Sequence, residues 1–155
     1  MEGRSLDDLF GADRARVASR RNRMKSLMDE EGLPYGERKM TFNSRLAQEL
    51  GKWAEGKANG DSIHKAIFEA YFVDNINIGK PEVLIRLAEQ VGLPVDEARD
   101  VLAGRLFKEE VDTDWKRCRD YGVTGVPTFV MDGMAAVGAQ PYEVLERLVN
   151  ESKRQ

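Results

Sequence analysis

Strand character in this chain of 155 residues is confined to one stretch near its end, and that confinement limits what the chain can fold into. Val123-Thr-Gly-Val-Pro-Thr-Phe-Val-Met is β-branched and apolar, Asp132-Gly133 is a two-residue hairpin signal, and Met134-Ala-Ala-Val137 supplies a returning strand. Two strands make no ordinary sheet. An isolated hairpin is marginal, and an apolar strand such as Thr128-Phe-Val-Met leaves unpaired backbone groups along one edge. The fold class expected is α+β and mostly helical, with a hairpin whose free edge needs a cover.

Everything before residue 122 reads as helix. Ser5 with Asp8 is a capping box for a short turn at 5–10, and a longer helix is expected over 13–31, closed by Gly32 and Pro34. Asn43 or Ser44 caps a helix to about residue 57 with Leu46, Leu50, Trp53 and Ala54 as its apolar set. Asp61 or Ser62 caps the next, which carries Ile63, Ala66, Ile67, Ala70 and Tyr71 on one stripe. Pro81 opens a helix ended by Gly92, and Pro94 opens another to about residue 102. A last helix over 107–121 sets Val111, Trp115 and Cys118 at i, i+4 and i+7, which points Cys118 to the core. After the hairpin, a helix over 141–151 presents Val144, Leu145, Leu148 and Val149. The expected organisation is a helical part at 1–121 and a C-terminal β-β-α part at 122–155, in one compact unit.

Charge and cysteine usage remove several function classes. Twenty-four Lys and Arg against 27 Asp and Glu give a net charge of -3, so no global positive field draws nucleic acid or an anionic membrane. The arginines between Arg14 and Arg23 read as one face of a mixed-charge helix, with no aromatic residues among them for base stacking. One cysteine excludes an internal disulfide and any CxxC pair. His64, the sole histidine, has no cysteine or second histidine near it, so no metal site is expected and a surface or capping role is. No apolar run approaches a membrane span, and the first 20 residues, with Asp7, Asp8 and Asp13, lack the apolar core of a signal peptide. The expected location is the cytoplasm.

The run Gly122-Val-Thr-Gly-Val-Pro-Thr-Phe-Val-Met-Asp-Gly, followed by Val137-Gly-Ala-Gln-Pro-Tyr-Glu-Val-Leu, resembles the C-terminal signature of DsbA-like thioredoxin-superfamily oxidoreductases. The resemblance is to the branch of FrnE-type proteins and 2-hydroxychromene-2-carboxylate isomerases. Thr41-Phe-Asn-Ser-Arg-Leu-Ala-Gln, Ile67-Phe-Glu-Ala-Tyr-Phe and Pro81-Glu-Val-Leu follow the order of that branch's inserted helical domain. It implies an incomplete thioredoxin-like fold, because the branch's strand, CxxC-bearing helix and second strand have no counterpart in residues 1–35. It also implies a cis Val126–Pro127 bond, with Thr124, Gly125, Val126 and Pro127 forming a rim for an extended peptide or for glutathione. Gln140 and Pro141 would then be the structural entrance to the last helix.

Dithiol exchange needs an attacking thiolate and a second cysteine to resolve the mixed disulfide, the first usually at a helix N-terminus. Cys118 is single and near a helix C-terminus, where the helix dipole opposes an anion. No catalytic residue is therefore assigned. Three functions follow from the resemblance: a thiol-disulfide oxidoreductase relative not redox-competent as this chain, a peptide-binding or self-assembling module, and a glutathione-dependent isomerase or transferase relative. No cofactor is called for, glutathione being the one ligand the resemblance admits, and the uncovered hairpin edge predicts a homodimer.

Overall fold

The computed structural model describes residues 3–6 and 14–153, and within them the side chains of all but 14–17 and 20. Packing separates two compact units, Met1–Val111 and Asp112–Gln155. The expected turn at 5–10 lies mostly outside the described residues. Ser5 instead belongs to a two-residue strand, β1 (Arg4–Ser5), antiparallel to β2 (Met40–Thr41), with Arg4 opposite Thr41. The expectation that residues 1–35 supply no strand is corrected to that extent: the pairing is set by backbone geometry, which so short a segment does not announce by alternation.

The first unit is helical. Between β1 and β2 runs α1 (Arg14–Glu30), and after β2 come α2 (Arg45–Ala54), α3 (Ser62–Phe68), α4 (Pro81–Gln90) and α5 (Val95–Gly104). Asn43 Oδ1 accepts the Arg45 backbone N–H at 2.8 Å at the start of α2, while Ser44 makes no side-chain cap. Helices α1 and α4 end alike. Gly32 and Gly92 take positive φ while the next residue donates back five positions, Leu33 to Met28 O and Leu93 to Ala88 O.

Leu50, Ile63 and Leu84 are fully buried at the centre, with Trp53, Leu87, Leu93, Val101 and Leu102 around them. Each such side chain contributes about 1.5–3 kcal/mol of transfer free energy. Gly51 on α2 leaves room for the His64 ring on α3, whose Cε1 would sit 2.8 Å from an added Cβ. His64 is thus an exposed residue packed on a neighbouring helix.

Two features were not legible in the periodicity. Helix α3 runs on into a π-helical turn, Glu69–Val73, with Asp74 N donating to Glu69 O at 3.0 Å. The second is Glu49, fully buried although charged. Arg45 Nε donates to Glu49 Oε1 at 2.8 Å, and Arg105 donates through Nη2 to Oε1 at 2.6 Å and through Nε to Oε2 at 2.7 Å. Arg105 caps α5 in the left-handed region, φ 51, with Leu106 N returning to Val101 O at 3.1 Å. That conformation costs a non-glycine residue about 1–2 kcal/mol. Two charge-assisted bonds to a buried carboxylate are worth more, even discounted for a half-exposed guanidinium.

The second unit contains the later part of α6 (Lys108–Asp120), the hairpin β3 (Thr128–Met131) and β4 (Met134–Val137), and α7 (Tyr142–Ser152). Thr128 stands opposite Val137 and Met131 opposite Met134. Asp132 and Gly133 both take positive φ, as a two-residue primed turn requires. None of the described residues of this unit is fully buried. The fold is α+β and mostly helical, as the hairpin count required.

The buried ion cluster generates a prediction with a pH signature. Hydrogen bonding from Arg105, ahead of that from Arg45, holds the Glu49 carboxyl below its ordinary value of 4.5, against a burial effect that pushes it up. A group depressed in the folded state contributes stability above its unfolded value and loses it as pH falls through the folded one. Glu49→Gln is expected to lower unfolding stability at pH 7 by about 2–4 kcal/mol, because it strands two guanidinium groups. Urea unfolding followed from pH 7 to pH 3 checks it: the gap between wild type and variant narrows as the pH falls below about 4.5.

Candidate functional site

Residues 124–127 form one continuous loop leading into β3. It starts where α6 stops: Gly122 takes φ 67 and Val123 N donates to Cys118 O at 2.9 Å. Two bonds hold its far end, and a third fixes the end of β4 opposite. Thr128 Oγ1 donates to Gly125 O at 2.7 Å, Gly138 N donates to Pro127 O at 2.7 Å, and Gln140 Nε2 donates to Val137 O at 2.6 Å. The Val126–Pro127 peptide is cis.

These anchors leave Val126 between them. The residue is 90% exposed, and no hydrogen bond to its backbone is present among the described residues. Thr124 and Pro127 are exposed as well, and Gly125 is half-buried. The loop thus offers a fixed backbone N–H, a carbonyl and an apolar side chain to solvent, which is what an extended chain needs to add along a strand edge. The Thr128 hydroxyl was not singled out in the sequence, though a threonine just inside a strand and three residues after a glycine is a usual local cap.

Cys118 is exposed, not core-facing as its spacing suggested. The stripe is real but only its first residue meets a core. Val111 is buried at the end of the first unit, whereas Trp115 is 43% exposed and Cys118 lies beyond it, where none of the described residues is buried. Helical periodicity reports which residues share a face; it does not report whether anything packs on that face. Arg117, beside Cys118, places its guanidinium carbon 5.8 Å from the centre of the Tyr121 ring. Among the described residues no group of three or more His, Cys, Asp or Glu side chains converges as a metal site, and no helix is long and apolar enough to cross a membrane.

Comparison with known proteins agrees with this architecture. Residues 4–150 match the DSBA-like thioredoxin domain family. A probable DsbA oxidoreductase from Streptomyces coelicolor superposes with a TM-score of 0.88 at 25% identity, over 99% of this chain and 69% of that one. A 2-hydroxychromene-2-carboxylate isomerase shares the fold at 17% identity and a TM-score of 0.76, over 91% of this chain and 69% of its own. Among curated proteins, YwbO of Bacillus subtilis is 27% identical over 110 residues, covering 70% of this chain. The chain spans 55% of the length of that relative. With a single cysteine in its sequence and the helical insertion followed by hairpin and helix, the chain belongs to the DSBA-like thioredoxin domain family.

Proposed function

We propose that this chain is the peptide-recognition part of a DsbA-like thiol-disulfide oxidoreductase relative and that it binds an extended peptide, or glutathione, at the loop of Thr124, Gly125, Val126 and Pro127. The observation that carries the reading is the open backbone of Val126 between two anchored ends, beside a strand edge that has no partner among the described residues. Exchange by a dithiol within this chain is out of reach, because Cys118 is its sole cysteine and the chain holds no second thiol to resolve a mixed disulfide. The substrate of the complete oxidoreductase reaction is a cysteine-containing polypeptide in an extended conformation. A cytoplasmic location fits this reading, supported by the fold shared with a cytosolic disulfide reductase of Pseudomonas aeruginosa, TM-score 0.57 at 22% identity.

Self-association belongs to the same proposal. Phe129, Val130, Val137, Tyr142 and Val144 are exposed in a unit without fully buried residues among those described, and among the same residues β3 pairs with β4 alone. A second copy pairing along β3 through a two-fold axis satisfies that edge and covers those side chains.

Three measurements decide these points. In an insulin-reduction assay with dithiothreitol the chain is expected to add no turnover, and Cys118→Ser to change nothing; turnover at a thioredoxin-like rate removes the non-catalytic reading. In a titration with an extended cysteine-containing peptide, and separately with glutathione, Val126→Pro removes the backbone donor and is expected to weaken binding by about tenfold, or roughly 1.4 kcal/mol. Equal affinity of the variant and the parent moves the site elsewhere. Sedimentation at micromolar concentration is expected to show a dimer that Val130→Lys dissociates, since a lysine on an open edge opposes strand addition.

A further inference from the structure

In the helical unit a cleft of about 180 Å³ lies between α3, with its π-helical continuation, and α4. Its floor is apolar, made by Ala66 and Ala70 on one side and Val83 and Leu87 on the other, and Ile76 lines it as well. Its rim is polar. Glu69 and Asp74 stand on the α3 side, Arg86 and Gln90 on the α4 side.

The arrangement has a backbone cause. On α4 the residues facing the cleft are at i, i+3, i+4 and i+7, the ordinary helical stripe. On the other side an α-helix would turn residue i+5 about 140° away from residue i. The π turn instead brings the Asp74 N–H onto the Glu69 carbonyl at 3.0 Å and keeps both residues on the cleft. Turns of this kind are found disproportionately at functional positions.

The rim charges do not neutralise one another. Among the described residues, Arg86 and Asp74 take part in no ion pair, and Glu69 meets only Lys65, at 3.8 Å with both side chains largely exposed. Such a contact is worth little. A cation and two carboxylates therefore face one apolar-floored cleft across a gap no side chain fills. The volume is slightly above the ~150 Å³ of an apolar cavity that accommodates a six-carbon ring. A nucleotide or a folded peptide segment is too large, and a sugar would leave its hydroxyls against four apolar side chains.

We propose that this cleft binds a small aliphatic α-amino acid, its carboxylate on Arg86, its ammonium between Glu69 and Asp74, and its side chain on Ala66, Ala70, Val83 and Leu87. The site is independent of the loop at 124–127. Both charges of the ligand are required, so recognition rests on the zwitterion and not on either group alone.

Amide chemical-shift titration of the full chain with L-leucine, L-valine and L-methionine tests it, with 3-methylbutylamine and 4-methylpentanoate as single-charge controls. At least one amino acid is expected to saturate shifts within residues 66–90 with a dissociation constant of about 1 mM or tighter, and each control to bind at least tenfold more weakly. Arg86→Met is expected to weaken the amino acid by about tenfold and to leave the amine unchanged. Ala66→Leu, which fills the floor, is expected to abolish binding with the melting temperature retained. If Ala66→Leu fails to fold, Arg86→Met still decides, because that side chain is exposed and its loss does not threaten the core. Absence of saturable shifts up to about 10 mM, or equal binding of the amine or the acid alone, overturns the proposal.

Discussion

The carboxylate of Glu49 takes three hydrogen bonds from two arginines, and much of the helical unit depends on that arrangement. A buried charge costs several kcal/mol to desolvate, and here the cost is offset only when Arg45 on α2 and Arg105 at the end of α5 are both in place. The same Arg45 donates through Nη2 to Lys108 O at 2.6 Å, at the first residue of α6. One side chain thereby ties together α2, the stop of α5 and the start of α6. The apolar core supplies the bulk of the driving force, but it does not choose among near-equivalent helix packings; the ion cluster penalises every packing that parts its members.

Lys57 makes a smaller version of the same connection. Its ammonium lies 4.8 Å from the centre of the Trp53 ring and 2.6 Å from Glu97 Oε2, joining the end of α2 to the first turn of α5. Unlike Glu49, Lys57 and Glu97 are both partly open to solvent, so the contribution of this ion pair is screened and small. The contrast separates a contact that holds a fold in one arrangement from one that decorates it.

What could be read from the sequence follows the range of each interaction. Helix stops at Gly32 and Gly92, the proline entering α4, and the Asp132-Gly133 hairpin are local and were legible, because each rests on backbone preferences of one or two residues. The DsbA-like lineage was legible through Gly-Val-Pro and Gly-Ala-Gln-Pro, whose spacing spans one hairpin. Glu49 was not. Its i, i+4 partner Arg45 looks like any surface pair, and Arg105 comes from 56 residues away. For the same reason Arg105 gave no helix-stop signal: its left-handed φ is sustained by a side-chain contact and not by local preference. The orientation of Cys118 failed from the opposite cause, since its apolar stripe continues past the point where the first core ends. At residues 124–127 the cis Val126–Pro127 bond was legible through the resemblance, but the hydroxyl of Thr128 and the carbonyls it and Gly138 restrain were not.

The π turn at Glu69–Val73 also bears on how relatives of this chain are to be aligned. Such a turn accommodates one residue more than an α-helix of the same rise, so a single deletion within it restores ordinary winding without disturbing the core on either side. After that deletion Glu69 and Asp74 would stand four positions apart in an ordinary helix, about 40° from each other, and would still share a face. A relative with a one-residue gap between them therefore keeps the charge arrangement, whereas one of equal length wound as a plain α-helix turns the second carboxylate about 140° away. Residue identity at positions 69 and 74 is therefore a poorer guide to shared properties than the winding of the segment between them.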